Sequence, residues 1–201
     1  MKTKTEAKRK AILKAAAEVF REVGFERASM SDIRARIGGS KATLYNYFPS
    51  KDALFFEVMY QAKEVEIGEI LGTLNPEAED LQRELVRFGQ NFLAVLYSPE
   101  AIAIRRLTIS ESHRSEVGKL SFERATLPIE KQVAEFLKKG MKRGVLRTAD
   151  AKTAAIHLLS LLESELLQRV LLGVMENVKP DAINAAVRRA VEVFLSGYSR
   201  H

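Results

Sequence analysis

Residues 29–48 have the sequence SMSDIRARIGGSKATLYNYF, which predicts two short helices joined by a glycine turn. Ser29 and Asp32 stand at the spacing of a capping box, in which each side chain accepts a hydrogen bond from the other residue's backbone N–H. Two glycines then interrupt the helix, and Ser40 can cap a second one. Such a pair of short helices around a glycine turn predicts a helix-turn-helix motif.

The second helix of this motif divides into an inward and an outward face. Leu44 and Phe48 lie four residues apart and can anchor the helix to its neighbours. The helix N-terminus suits a phosphate, because its backbone N–H groups are free and its dipole attracts anions. Side chains such as Thr43 and Tyr45 can then reach base edges in a major groove. The pattern indicates DNA binding, although short helix pairs also occur in proteins that bind no nucleic acid.

The charge of the chain is concentrated around this motif. Residues 1–55 hold 12 Lys and Arg against 6 Asp and Glu, whereas residues 56–201 hold 20 of each. The net charge of +6 therefore lies entirely in the first quarter of the sequence. This asymmetry favours a polyanion-binding head on a neutral body, and a basic face that merely contacts solvent is the alternative.

The remainder of the chain shows helical periodicity with Pro and Gly at the boundaries, which predicts an all-α protein. Its length suffices for one large or two small domains, and we expect domains at 1–55 and 56–201. The first helix has an apolar stripe formed by Ile12, Ala15, Ala16, Val19, Phe20 and Val23. The fourth has one formed by Leu54, Phe55, Val58, Ala62 and Val65. Later helices are expected to start at Asn75-Pro76, Ser98-Pro99, Pro128, Asp150 and Pro180. The helix that starts at Asp150 is expected to run to Leu172.

Several classes of function are not expected. The chain has no cysteine, which excludes disulfides, thiolate metal sites and a cysteine nucleophile. Its three histidines lack the spacing of a helical metal site, and no phosphate loop or nucleophile elbow is present, so we expect no enzyme, cofactor or metal. The apolar stretch 154–175 contains charged residues and is not expected to span a membrane. The charged N-terminus lacks the apolar core of a signal peptide, which favours a cytoplasmic protein.

The motif resembles the DNA-binding head of the TetR/AcrR family of bacterial transcriptional regulators. The resemblance rests on Asp32-Ile33 and on residues 38–55, together with Ile12-Leu13, Ala16, Phe20 and Gly24-Phe25 of the preceding helix. It implies an N-terminal three-helix head followed by a helical-bundle domain for ligand binding and dimerisation. It also implies a homodimer that binds a palindromic double-stranded DNA operator and releases it when a small-molecule effector binds, most often as a repressor.

The resemblance also implies which residues meet DNA. The expected contacts, from the recognition helix, the phosphate backbone and the start of the preceding helix, are Ser29, Ser40, Lys41, Ala42, Thr43, Tyr45, Asn46, Tyr47 and Lys51. Two positions depart from the family pattern: Gly39 stands where Val is usual, and Arg34 where a small residue is usual. Arg34 would add a phosphate contact if it points outward and would crowd the helix pair if it points inward.

For the second domain, an apolar, aromatic or amphipathic effector is expected, because the neutral body offers few charges to compensate a charged ligand. Its candidate lining is Phe88, Phe92, Phe136, Met141, His157, Ser160 and Leu161. Aromatic residues at helical spacing are also typical of a plain core, and the polar ones of a core or dimer interface. The candidate dimer interface is Ala182, Ala186, Ala190, Val191 and Phe194. A helical dimer that binds an apolar ligand without any transcriptional role is the alternative function.

Overall fold

The computed structural model describes residues 5–113 and 116–200, and this part of the chain is almost entirely helical. Within it, strand pairing is limited to one isolated bridge between Leu146 and Ser199. The all-α prediction is confirmed. The basic residues Lys2 and Lys4, which contribute to the charge of the head, lie outside the described residues.

Eleven α-helices and one π-helical turn are found in the described residues. The helices are α1 (Glu6–Arg27), α2 (Met30–Ile37), α3 (Lys41–Tyr47), α4 (Lys51–Gly72), α5 (Leu81–Leu96), α6 (Pro99–Glu111), α7 (Val117–Ser121), α8 (Leu127–Lys142), α9 (Ala151–Glu163), α10 (Leu167–Leu171) and α11 (Pro180–Tyr198). The π turn, Phe122–Thr126, joins α7 to α8.

The chain divides into an N-terminal unit, Met1–Ala62, and a C-terminal unit, Lys63–His201. The division falls inside α4, seven residues beyond the boundary expected from the sequence.

The N-terminal unit is built around the predicted stripe of α1. Ile12, Ala16 and Val19 are buried against Ile33 of α2 and Leu44 of α3. Because Gly24 adopts a φ of 78°, the regular helix ends there and the chain makes one further turn to Arg27. In α4, Leu54 is buried in the same core, but the prediction for Val65 is wrong, since this side chain is 63% exposed in the C-terminal unit.

The C-terminal unit packs α5, α8, α9 and α11 around one apolar core. Gly89 allows α5 to pack closely against α9 and α11. A Cβ atom at this position would lie 2.7 Å from Leu162 of α9 and 2.8 Å from Val187 of α11. The caps predicted at Ser98 and Asp150 are confirmed, and Pro128 and Pro180 lie in the first turns of α8 and α11, as predicted.

Two predictions for this unit are wrong. The Asn75-Pro76 pair forms a turn in which the Asn75 side chain accepts the Glu77 N–H, and Asp80 caps α5 instead. The helix from Asp150 ends at Glu163, and a turn separates it from α10.

None of the described helices is long and apolar enough to cross a bilayer.

Candidate functional site

The helix-turn-helix is fixed by side-chain caps at both of its helices. The Ser29 hydroxyl accepts a hydrogen bond from the Asp32 N–H at 3.2 Å, and Asp32 accepts one from the Ser29 N–H at 3.0 Å. At α3, the Ser40 hydroxyl accepts a hydrogen bond from the Thr43 N–H at 3.1 Å and lies 2.9 Å from the Thr43 hydroxyl. The predicted capping box and the predicted cap of the second helix are therefore confirmed.

Helix α3 buries one face and presents the other to solvent. Leu44 is 1% exposed and lies in the same apolar core as the buried Phe48, as the sequence predicts. The exposed side is formed by Lys41, Ala42, Tyr45 and Asn46, with Thr43 and Tyr47 half-buried at its edges. The Lys41 ammonium lies 5.6 Å from the centre of the Tyr45 ring, a cation–π distance. The predicted DNA-contacting side chains thus share one accessible face of a rigidly held helix.

Two of the predicted phosphate-binding residues also hold the N-terminal unit together. The Tyr47 hydroxyl accepts a hydrogen bond of 2.8 Å from the Thr5 N–H, which leaves its own proton free to donate. The Lys51 ammonium donates to the carbonyl oxygens of Phe25 and Glu26, at 2.8 and 3.3 Å. Lys51 therefore closes the C-terminal end of α1, and one of its three protons remains for an external acceptor.

The two arginines of α2 have different positions. Arg34 is exposed, which favours a contact with phosphate over crowding of the helix pair. Arg36 donates two hydrogen bonds to the Glu22 carboxylate, at 2.7 and 2.6 Å, and so ties α2 to α1. The hydrogen bond with Arg36 lowers the pKa of Glu22 below its ordinary value. A second ion pair joins Arg9 of α1 to Glu57 of α4.

In the C-terminal unit, the residues proposed to line one effector site lie in two places. Phe88, Phe92 and Phe136 are buried in the core, where the first two rings stack 5.3 Å apart, and Met141 packs against the same core. A surface groove of about 420 Å³ holds His157, Ser160 and Leu161 of α9, together with residues of α11. The α11 side of the groove is formed by Val193, Phe194, Gly197 and Tyr198. The sequence expectation of a shared lining is therefore not met by this structure.

His157 is held inside this groove. Its Nδ1 atom lies 2.7 Å from the Tyr198 hydroxyl, and the Tyr198 ring stacks on Phe194 with centroids 4.6 Å apart. The groove is lined almost wholly by apolar atoms, with this His–Tyr contact at one place. Among the described residues, no group of histidines and carboxylates is arranged to hold a metal ion.

The proposed dimer residues on α11 need a correction. Ala186, Ala190 and Val191 are buried within a single chain, where α11 packs on α5 and α9. Because these side chains have almost no solvent-accessible surface in a single chain, a partner chain could not bury more of it. Ala182 is half-buried, and Phe194 lies at the groove with little exposure. The exposed side of α11 instead carries Val193, which is 58% exposed.

Sequence reasoning missed a polar contact region around α6. Arg105 donates two hydrogen bonds to Glu163 of α9, at 2.5 and 2.9 Å. Arg106 donates to the carbonyl oxygens of Val170 and Leu171 at the end of α10, at 2.6 and 3.2 Å. Neither arginine stands at helical spacing from its partner, so no local signal marks these contacts. These hydrogen bonds attach α6 to α9 and α10. Apolar burial contributes less, since Ile102 is the single buried side chain among the residues of α6.

Two family models match the chain. Residues 12–58 match the model described as bacterial regulatory proteins, tetR family. Residues 83–200 match the model described as AefR-like transcriptional repressor, C-terminal domain. The matches include α2 and α3 in the first case and α6 to α11 in the second.

Individual proteins are similar to the chain in the same way. The uncharacterized HTH-type regulator YhgD of Bacillus subtilis is 22% identical over 160 residues, which are 77% of this chain and 80% of YhgD. The Escherichia coli regulator RutR is 42% identical over 59 residues, 29% of this chain and 28% of RutR. A TetR-family structure from Mesorhizobium loti has a TM-score of 0.80 at 26% identity, covering 99% of this chain and 100% of the other. The flavonoid-responsive regulator FrrA has a TM-score of 0.70 at 28% identity, covering 98% and 100%.

Proposed function

Since this chain belongs to the TetR family and is a DNA-binding transcriptional regulator of that family, we propose that it is a ligand-responsive repressor of a palindromic operator. The observation that carries the proposal is the division of α3 into two faces. Leu44 and Phe48 hold the helix in the head, and the opposite side presents side chains that can hydrogen-bond. The basic charge of residues 1–55 supports the same conclusion, because it attracts the phosphate backbone.

Each exposed residue of α3 has a role in this proposal. Tyr45 and Asn46 reach base edges in the major groove together with Thr43, and Ala42 lets the helix approach closely. Lys41 at the helix start binds a phosphate, with the free proton of Tyr47 as a second donor. Ser29 and Ser40 use their hydroxyls as caps, so their proposed contact with the backbone is through the N–H groups of the helix ends.

Two copies of the chain are needed to read a palindrome, and the groove on α9 and α11 is the proposed interface. It is apolar, and Val193 would be exposed there in a single chain. Related by a twofold axis, α9 and α11 of two chains would form a four-helix contact. The two heads would then insert their α3 helices into successive major grooves about 34–36 Å apart.

The proposed effector is an uncharged, largely apolar or aromatic molecule that binds in the C-terminal unit. The similarity to FrrA over nearly its whole length supports an aromatic effector, since FrrA is described as flavonoid-responsive. Release follows if the effector binds more tightly to a dimer whose heads no longer match the operator spacing. Helix α4 connects the two units, and it is the segment through which this coupling would pass.

Selection of binding sites from random DNA tests this proposal without knowledge of any neighbouring gene. The full-length protein is incubated with a random duplex pool, and bound sequences are recovered, sequenced and measured by fluorescence anisotropy. We expect inverted repeats whose half-site centres lie about one helical turn apart. Enrichment of no sequence would contradict a regulator of a specific operator. Enrichment of single, unrepeated sites would contradict the paired arrangement of heads.

A further inference from the structure

Two buried hydroxyl groups of the C-terminal unit have no hydrogen-bond partner among the described residues. They are the Tyr97 hydroxyl, at the end of α5, and the Thr108 hydroxyl, on α6. Neither oxygen is reached by solvent, and the Tyr97 side chain is 8% exposed. A buried polar group without a partner is rare in folded proteins, because it loses its hydrogen bonds to water without replacement. Each such group therefore needs an explanation.

The Thr108 hydroxyl lacks the hydrogen bond to a helix carbonyl that other helix hydroxyls of this unit make. Hydroxyl groups inside a helix commonly donate to a carbonyl oxygen of the preceding turn. Ser110 does so on α6, donating to Leu107 at 3.0 Å, and Ser196 does so on α11, donating to Glu192 at 2.9 Å. Thr108 has the same local option and does not use it.

Each hydroxyl is related to the charged pair formed by Arg105 and Glu163. Thr108 follows Arg105 by three residues and so shares its face of the helix. Arg105 and Glu163 are close enough to Tyr97 to influence its ionisation. Burial and, after it, the charge of Glu163 raise the pKa of Tyr97 above its ordinary value, so the hydroxyl stays protonated and can donate. Tyr97 thus lies near the Arg105–Glu163 pair, and Thr108 lies on the face of α6 that carries Arg105.

We propose that the Tyr97 and Thr108 hydroxyls bind a hydroxyl or carbonyl group of the effector, which is an uncharged aromatic or apolar molecule. This inference rests on the proposed function and assigns the polar end of its effector site. Room for the ligand comes from α6, which fully buries one side chain of its own, Ile102, and is tied to α9 and α10 through Arg105 and Arg106. An outward movement of this helix would expose one fully buried side chain.

The charged pair explains why the ligand is neutral. Arg105 is already neutralised by two hydrogen bonds to Glu163. Burial works against the charged form of Arg105, yet the hydrogen bond and charge of Glu163 raise its pKa, so Arg105 stays charged. An anionic ligand would have to displace Glu163 and leave that carboxylate unpaired, and a cationic one would do the same to Arg105. A neutral hydroxyl or carbonyl group satisfies the two free hydroxyls without either penalty.

The first test uses the free protein, since the inference predicts how the unfilled site affects stability. Tyr97→Phe and Thr108→Val remove hydroxyls that make no bond in the absence of ligand, so the midpoint of thermal unfolding should stay the same or rise. Ser110→Ala is the matched control, because its hydroxyl is bonded within α6. A fall of several degrees for both Tyr97→Phe and Thr108→Val would show that these hydroxyls have structural partners, and it would overturn the proposal.

The second test measures binding of 4-propylphenol, its hydroxyl-free analogue propylbenzene and its anionic analogue 4-propylbenzoate by ligand-observed NMR. The parent protein should bind the phenol most tightly. Tyr97→Phe and Thr108→Val should each weaken phenol binding about three- to tenfold, the effect of one uncharged hydrogen bond, and leave propylbenzene binding unchanged. Ser110→Ala should bind all three compounds like the parent.

Three results of this titration would overturn the proposal: absence of phenol binding to the parent, equal phenol binding by parent and both variants, or preference for the benzoate. Operator binding is measured separately and without any ligand. A protein that selects palindromic DNA but fails this titration therefore loses the assigned polar site and keeps its proposed role as a repressor. A protein that selects no DNA loses that role whatever the titration shows.

Discussion

The Lys51 ammonium lies 2.8 Å from the carbonyl oxygen of Phe25 and 4.3 Å from the centre of the Phe25 ring. This residue at the start of α4 thus closes the end of α1 through a charged hydrogen bond and a cation–π contact. A family resemblance alone assigns Lys51 to phosphate binding. The contact gives it a second role, in the stability of the head, that can be measured without DNA.

Lys51→Met keeps most of the aliphatic stem and removes the charge. We expect it to lower the free energy of unfolding by about 1.5–3 kcal/mol, the usual contribution of a hydrogen bond to a charged group. Chemical denaturation followed by circular dichroism measures this loss. Lys41→Met is the control, since Lys41 is exposed on α3 and should change stability by less than about 0.5 kcal/mol. Equal stability of the two variants would contradict the structural role of Lys51.

Tyr45 and Lys41 should differ in how they affect DNA binding. Tyr45→Ala is expected to remove the preference for the selected operator over random DNA, because a base contact is lost. Lys41→Ala should weaken binding to both DNAs alike and reduce the salt-dependence slope by about 0.9, the effect of one phosphate contact. Anisotropy titrations over a series of salt concentrations measure both quantities. If both variants bound operator like the parent, α3 would not be the recognition helix.

Two valines on α11 separate the dimer face from the core. Val193→Arg places a charge on the exposed side of the helix, so the chain should stay helical but become a monomer by light scattering, with weakened operator binding. Val191→Arg buries a charge at a position that is 0% exposed, so it should prevent stable folding. A folded dimer of Val193→Arg would show that the interface lies elsewhere.

Gly89 should be intolerant of a single methyl group. Gly89→Ala forces a Cβ to within 2.8 Å of Leu162 and Val187, and the repacking should cost about 1–3 kcal/mol of stability. Gly68→Ala is the matched control on α4: no atom lies within 4 Å of the added Cβ, and helix propensity should raise stability by up to about 1 kcal/mol. Urea denaturation of the two variants should therefore shift in opposite directions.

The Glu22–Arg36 pair should stabilise the head in a pH-dependent way. The hydrogen bond with Arg36 lowers the pKa of Glu22 from 4.5 in the folded protein, so its contribution is complete above that pH and is lost as pH falls through the folded pKa. Glu22→Gln should lower the unfolding temperature at neutral pH and match the parent once the pH is below the folded-state pKa of Glu22. The exposed Glu69 supplies the control, Glu69→Gln. A difference between parent and Glu22→Gln that persists unchanged into acid would contradict this assignment.

The head could be predicted in detail because its signals are local. A serine just before each helix, a carboxylate three residues after the first serine and a glycine turn between the helices define α2 and α3 whatever surrounds them. The turn from Asn75 to Asp80 shows the limit of such signals, since two candidates for a cap occur five residues apart and the second is used. The π turn before α8 has no sequence signal that a propensity argument would detect.

The functional surfaces of the C-terminal unit were harder to predict because periodicity identifies a buried face without identifying what buries it. Ala186 and Val191 follow the helical repeat of a packed surface, but the surface they meet belongs to α5 and α9 of the same chain. His157 and Phe92 were expected to share a pocket, whereas one lies at a surface groove and the other in the core. The free hydroxyls of Tyr97 and Thr108 depend on tertiary placement alone.

Gly39 has a φ of 108°, a backbone conformation that side chains other than glycine rarely adopt, although the space around its missing Cβ is open. The valine usual in the family at this position would therefore be strained here by the backbone and not by a neighbour. Replacing an unusual residue with the family consensus is a common route to thermostability. At this turn the same substitution would work against the fold, so the mutational path between this sequence and its relatives must pass through a change of backbone shape before the side chain can change.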